Sequence, residues 1–236
     1  MKTILHKAET RGHANHGWLD THHTFSFANY YNPERIHFGA LRVLNDDCIA
    51  SGEGFDTHPH DNMEIVSIPL FGDLEHKDSM GNHGVITTGE IQVMSAGTGI
   101  FHSEYNKNKD KEAQFLQIWI LSDKKNVTPR YDQISIADIG KQDELYQILS
   151  PDSTDQGVWI HQQAWFHFGE LSEGWNGNYN LKGVNNGVYF FVIEGDVTVA
   201  GQPLNRRDGF GISEINEIEI TANSTAKLLV MEVPML

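Results

Sequence analysis

The chain has 236 residues, 39% of them hydrophobic and 21% charged, and its 17 Lys and Arg face 32 Asp and Glu for a formal net charge of −15. That length allows one domain or two lobes, either with a real core. The acidic balance repels phosphate backbones and removes the usual electrostatic footing for direct nucleic-acid binding.

In chain order, Met1 to Lys7 lacks the apolar stretch of a signal peptide, and no later run reaches the roughly 18 apolar residues of a membrane span. The chain is therefore expected in the cytoplasm and off the membrane. His13, His16, His22 and His23 form an N-terminal cluster, but Trp18, Phe25, Phe27 and Tyr30 around it suggest packing rather than a second metal site. Runs rich in Val, Ile and Phe, punctuated by Gly, Asn and Asp, then predict strands over His37 to Leu44, Met63 to Leu70, Gly89 to Met94, Gln114 to Leu121, Val158 to Phe168, Tyr189 to Glu194 and Lys227 to Val233. Cys48 is the only cysteine, so no internal disulfide forms. It is expected to be a packing residue beside a turn at Asn45-Asp46-Asp47.

The polar segment Ser122 to Arg130, which contains a proline, predicts a linker between residues 1–121 and 131–236. Ile136 to Leu145 predicts one short helix. Val188 to Val197 echoes Glu64 to Leu74, with Gly195-Asp196 on Gly72-Asp73, so the chain reads as two copies of one all-β barrel. Sliding one copy onto the other places Leu181 and Gly183 where the first has His58 and His60. No histidine follows His167, so the second copy is expected to hold no metal.

Gly52 to Asn106 carries the chemistry. Alternate strand residues share a face, so His58 with His60, and His102 with Glu104, each form a two-pronged ligand set. In a chain with 13 histidines, roughly 0.7 His-x-His pairs arise by chance, so the pair alone proves nothing. The frame adds weight: Gly52 lies six residues before His58, Glu64 four after His60, and Gly97 and Gly99 precede His102 and Asn106. His76, His83 and His167 are read as surface or satisfied barrel histidines. No nucleophile elbow surrounds Ser103, and the glycines at 195 and 209 sit in strand–turn contexts rather than a phosphate loop.

These residues resemble the two cupin motifs, G-x5-H-x-H-x3-E and G-x2-H-x3-N, the first matched from Gly52 to Glu64. Phe27 to Tyr31, Leu41 to Asp47, His58 to Glu64 and Met94 to Glu104 further resemble the pirin family, especially its short bacterial members, some with quercetin 2,3-dioxygenase activity. The resemblance implies a bicupin with metal ligands His58, His60, His102 and Glu104. Glu64, the carboxylate many cupins use, competes with Glu104 for the fourth place. It also implies one divalent metal, Fe(II) before Zn, Mn, Ni, Co or Cu, since such a donor set does not choose by affinity alone. A small aromatic enediol such as a flavonol would react with dioxygen, with Glu104 accepting a proton and Phe55, Met63, Ile100 or Phe101 flanking the ring. The competing expectation is a metal- or redox-dependent regulatory module that binds a protein partner. The protein is expected to be a monomer.

Overall fold

The computed structural model describes all 236 residues. It has 22 strands and a single three-residue 3-10 helix, Ala8–Thr10. The strands form two seven-stranded and two four-stranded sheets, one of each per lobe, which is the two-domain, antiparallel bicupin fold. In the first lobe the large sheet is centred on Met63–Phe71, Ala113–Leu121 and Leu41–Ile49, and the small one runs Gly54–His60, Ile100–Asn106, Asp73–Asp78, His83–Thr87. In the second lobe the large sheet is centred on Asn186–Glu194, Ala226–Pro234 and Trp165–Leu171.

The repeat seen in the sequence has a physical cause at its glycines. Gly72 and Gly195 both take positive φ, 74° and 77°. A Cβ on either would lie 2.7 Å from the Glu112 carbonyl oxygen or 2.2 Å from that of Thr225, so each lobe turns its chain where only glycine fits.

Alternation along the central strands decides what each face meets. Val66, Ile68, Leu116 and Ile118 from the first lobe join Phe166, Phe168, Tyr189, Phe191, Leu229 and Met231 from the second in one 26-residue apolar core, which lies between the lobes. The other face of the second lobe's sheet carries Val188, Phe190, Val192, Leu228 and Val230 into its own 16-residue core. The corresponding face in the first lobe is polar across its middle. Gln92, Ser67, Gln117, Asn45 and His23 are neighbours in successive strands there, with only a six-residue and a four-residue apolar cluster beside them.

Three expectations need correction. Ile136 to Leu145 is a succession of turns, not a helix. Ile136 still buries in the inter-lobe core and Ile139 packs against it, but Gly140 lies against the Tyr146 ring and Asp143 has φ 61°, which breaks helical continuity. The run Val158 to Phe168 is two strands, Val158–Trp159 and Trp165–Leu171. Between them His161 and Gln162 turn aside to bond Asp123 of the predicted linker and Leu121 of the first lobe. Asn45 to Asp47 lies inside the strand Leu41–Ile49 rather than in a turn.

Strands are also exchanged between the lobes. Lys2–His6 pairs with Gly209–Ser213 in the second lobe's sheet, whereas Arg130–Ser135, which starts at the last residue of the predicted linker, pairs with Glu90–Ser95 in the first.

Candidate metal centre

The four-stranded sheet of the first lobe builds the site. His102 is opposite His58 on one neighbouring strand and Asp78 on the other, while Ile100 is opposite His60 and Glu104 opposite His76. A bulge between His102 and Glu104 shifts the register against the His58 strand. Such bulges re-aim side chains beside functional sites.

His58, His60 and His102 come together with ring centroids 4.5–4.9 Å apart. Their ligating atoms all lie within 4.8 Å of one another. The Nδ1 of His58 donates to the Asp56 carbonyl at 2.7 Å, which leaves its Nε2 as a lone pair. Asp56 in turn receives the Tyr105 hydroxyl. The His60 ring meets Trp119 edge to face at 4.9 Å.

Burial, reinforced by His102 and His58, lowers the His60 imidazole to about 4. Burial, reinforced by His58 and His76, lowers His102 to about 3. Both are therefore neutral at ordinary pH, the form that ligates. Both His102 nitrogens are buried with no protein partner, although buried polar atoms are nearly always satisfied. Three converging imidazoles beside a carboxylate fit a divalent transition metal.

Glu104 lies one step deeper. Its Oε1 accepts from Ser67 Oγ at 2.9 Å and its Oε2 from Gln117 Nε2 at 2.7 Å. It clusters within 4.8 Å with His102 and with His76 rather than with the three-histidine group. Glu64 is in none of the side-chain groups close enough to share a metal. It has the opposite strand parity to Ser67, and its carboxylate accepts from Ser95 Oγ at 2.6 Å. Burial raises its pKa, with Ser95 and the His161 backbone opposing.

His76 is the residue that reading the sequence missed. It is fully buried, not a surface histidine, and its Nδ1 has no partner. The available signal was its spacing, because His76-x-Asp78 repeats the i, i+2 pattern of the two recognised pairs. His83 is exposed beside Glu75, and His167 is buried against Tyr179, both as expected.

Among the apolar candidates, Phe55 stands edge to face with Trp18 at 5.2 Å and lies 6.4 Å from His58. Ile100 instead fills a small core to which Met63 and Trp119 pack, and Phe101 points outward, 54% exposed. In the N-terminal histidine cluster, the cross-strand hairpin supplies a carboxylate that the sequence pattern did not offer. His13 and His22 stack at 4.4 Å, and Asp20 accepts from His13 at 2.8 Å and from Asn15 at 2.9 Å. His22 Nδ1 stays 3.9 Å from Asp20, and the cluster is open to solvent.

In the second lobe Leu181 packs against the apolar core. The interior carboxylate there, Glu232, accepts from Tyr179 Oη, the backbone of Lys182 and Gly183, and Asn186 Nδ2, all at 2.6–3.0 Å.

Two cupin lobes with candidate ligands in the first alone define the class of this protein. The chain matches the pirin family over residues 5–120 and the quercetinase C-terminal cupin domain over residues 147–233. It is 44% identical over 231 residues to the Escherichia coli K12 protein named quercetin 2,3-dioxygenase, covering 98% of both chains. It is 38% identical over 222 residues to a pirin-like protein of Caulobacter vibrioides, covering 94% of this chain and 95% of that one. The crystal structure of the bacterial pirin YhhW in complex with nickel(II), from Escherichia coli, superposes with a TM-score of 0.94 at 42% identity over the whole of both chains. The chain belongs to the pirin family.

Proposed function

We propose that the first lobe is a metal-dependent oxygenase centre of the quercetin 2,3-dioxygenase type, with His58, His60, His102 and Glu104 as its ligands. The observation that carries this reading is the convergence of three imidazoles, two of them held neutral by burial and one, His102, with both nitrogens unpartnered, beside a carboxylate pinned by two donors. The name of the Escherichia coli relative supplies the reaction class.

When bound, a divalent metal, Fe(II) first and Zn, Mn, Ni, Co or Cu with the same donors, supplies Lewis acidity and an entry for dioxygen. The chain's own residues do the rest. Glu104 accepts the proton of an incoming enediol hydroxyl as the general base. Ser67 and Gln117 hold both its oxygens, so the base is oriented before substrate arrives. Phe55 and Trp18 offer an aromatic wall on the His58 side, and Trp119 stands behind His60. Ring cleavage of a flavonol or a similar aromatic enediol, with loss of carbon monoxide, is the reaction assigned to this centre.

The test is anaerobic Fe(II) loading followed by dioxygen uptake with quercetin, measured beside His102→Ala. Uptake and carbon monoxide release that vanish in the variant support the reading. Redox-dependent binding of a protein without turnover would move it to the regulatory module.

A further inference from the structure

We propose that His76, held by Asp78, is a positioning residue for His102: its free ring nitrogen accepts the N–H that His102 turns away from the metal, giving a His102–His76–Asp78 chain behind the site. This rests on the reading of His102 as a ligand.

Strand Asp73–Asp78 lies directly beside the strand of His102, and alternation puts His76 and Asp78 on the same face as Glu104 and His102. The Nε2 of His76 is 3.2 Å from Asp78 Oδ2, and both side chains are fully buried. Asp78 also accepts the backbone N–H of Met80 and of Asn82, each at 2.9 Å, and the Asn82 side-chain amide at 2.8 Å. A carboxylate collecting that many N–H groups is an acceptor, so His76 Nε2 carries the hydrogen and donates it. With Nε2 given to Asp78, Nδ1 is the ring nitrogen left to accept. That Nδ1 has no partner and no access to solvent.

His102 presents the complementary want. One of its two unpartnered nitrogens serves the cluster with His58 and His60, and the other, on a ligating imidazole, needs an acceptor for its N–H. The His76 and His102 rings are 5.5 Å apart between centroids, and the ligating atoms of His76, His102 and Glu104 lie within 4.8 Å. Tyr131 packs on His76 at 4.7 Å and limits its retreat from His102. A buried acceptor and a buried donor thus stand side by side on neighbouring strands. The hairpin cluster of His13, Asp20 and His22 shows no such unmet demand.

The full-length protein loaded with Zn(II) tests this through affinity, by chelator competition, and through long-range 1H–15N spectra of the histidine rings. His76→Phe removes the acceptor and is expected to weaken Zn(II) binding roughly 10- to 100-fold, the usual cost of losing such support. The exchange-protected ring N–H of His102 should disappear with it. His76→Gln, which restores an acceptor oxygen, should recover much of the affinity. Should His76→Phe fail to fold, Asp78→Asn is read in its place, with a smaller loss of affinity and a mixed His76 tautomer. Unchanged affinity and an unchanged His102 N–H overturn the proposal, as does a His76 nitrogen found bonded to Zn(II). His102→Ala separates the two readings. If it leaves Zn(II) affinity intact the ligand assignment has failed, whereas if it abolishes binding and His76→Phe does nothing, only the positioning role has failed.

Discussion

The two lobes share a fold and differ in what their interiors leave unsatisfied. In the second, the interior face is aliphatic, and its buried carboxylate, Glu232, is met by four neighbouring residues. In the first, the equivalent face is a row of amides and hydroxyls, and His102, His76 and Gln92 retain buried atoms with no protein partner. An interior carboxylate met on every side has nothing to offer a ligand. One that pays in stability for unmet donors and acceptors holds them ready for something absent from the chain itself.

The sharpest way to break that comparison is metal content. His102→Ala or His58→Ala is expected to take the protein from one tightly bound metal per chain to none by elemental analysis, and two tight metals in the wild type would mean the second lobe is not empty. Next, Glu104→Gln keeps an amide oxygen but removes the base, so dioxygen uptake should fall by roughly 10² or more while metal stays bound. Glu64→Gln, on the opposite face of its strand, should leave dioxygen uptake intact. If these two results exchange places, the carboxylate has been misassigned.

Glu232→Ala probes the satisfied interior. It strands the backbone N–H groups of Lys182 and Gly183 and the side chains of Asn186 and Tyr179, and should cost roughly 3 kcal/mol in urea unfolding with no change in metal content.

Asp47 gives a pH-dependent contrast within the first lobe. Burial raises its carboxyl from 3.8 to about 7, against the hydrogen bond from Thr21. Between those values the folded protein holds a proton that the unfolded chain releases, so this contribution to stability falls as pH rises through the window. Asp47→Asn removes that slope, and its stability relative to wild type should climb from pH 4 to pH 7 in urea unfolding. The smallest effect is Cys48→Ala, expected to leave metal content and turnover nearly unchanged, since burial first, and then Glu112, raise this thiol to about 12.

The candidate ligand pairs were legible because strand alternation turns an i, i+2 spacing into a shared face, and the glycines at 72 and 195 marked the repeat. His76 was equally legible by spacing, yet it lacked the glycine frame that separated His58 and His60 from chance. The polar row from Gln92 to His23 could not be read from one strand at a time. No one strand shows the row, and only the register lines its members up. The false helix at Ile136 to Leu145 came from Ile136 and Ile139, whose spacing suits a turn packed on the inter-lobe core as well as it suits a helix.

The exchanged strands make the two lobes one cooperative unit. Ile4 lies opposite Gly211, a closure of roughly two hundred residues, which places this contact among the slow, non-local ones in folding. Until it forms, the second sheet keeps an open edge at Gly209–Ser213, where another chain's strand could add in its place. Dilute refolding should therefore give monomer, and concentrated refolding a species in which Lys2–His6 of one molecule completes the sheet of the next.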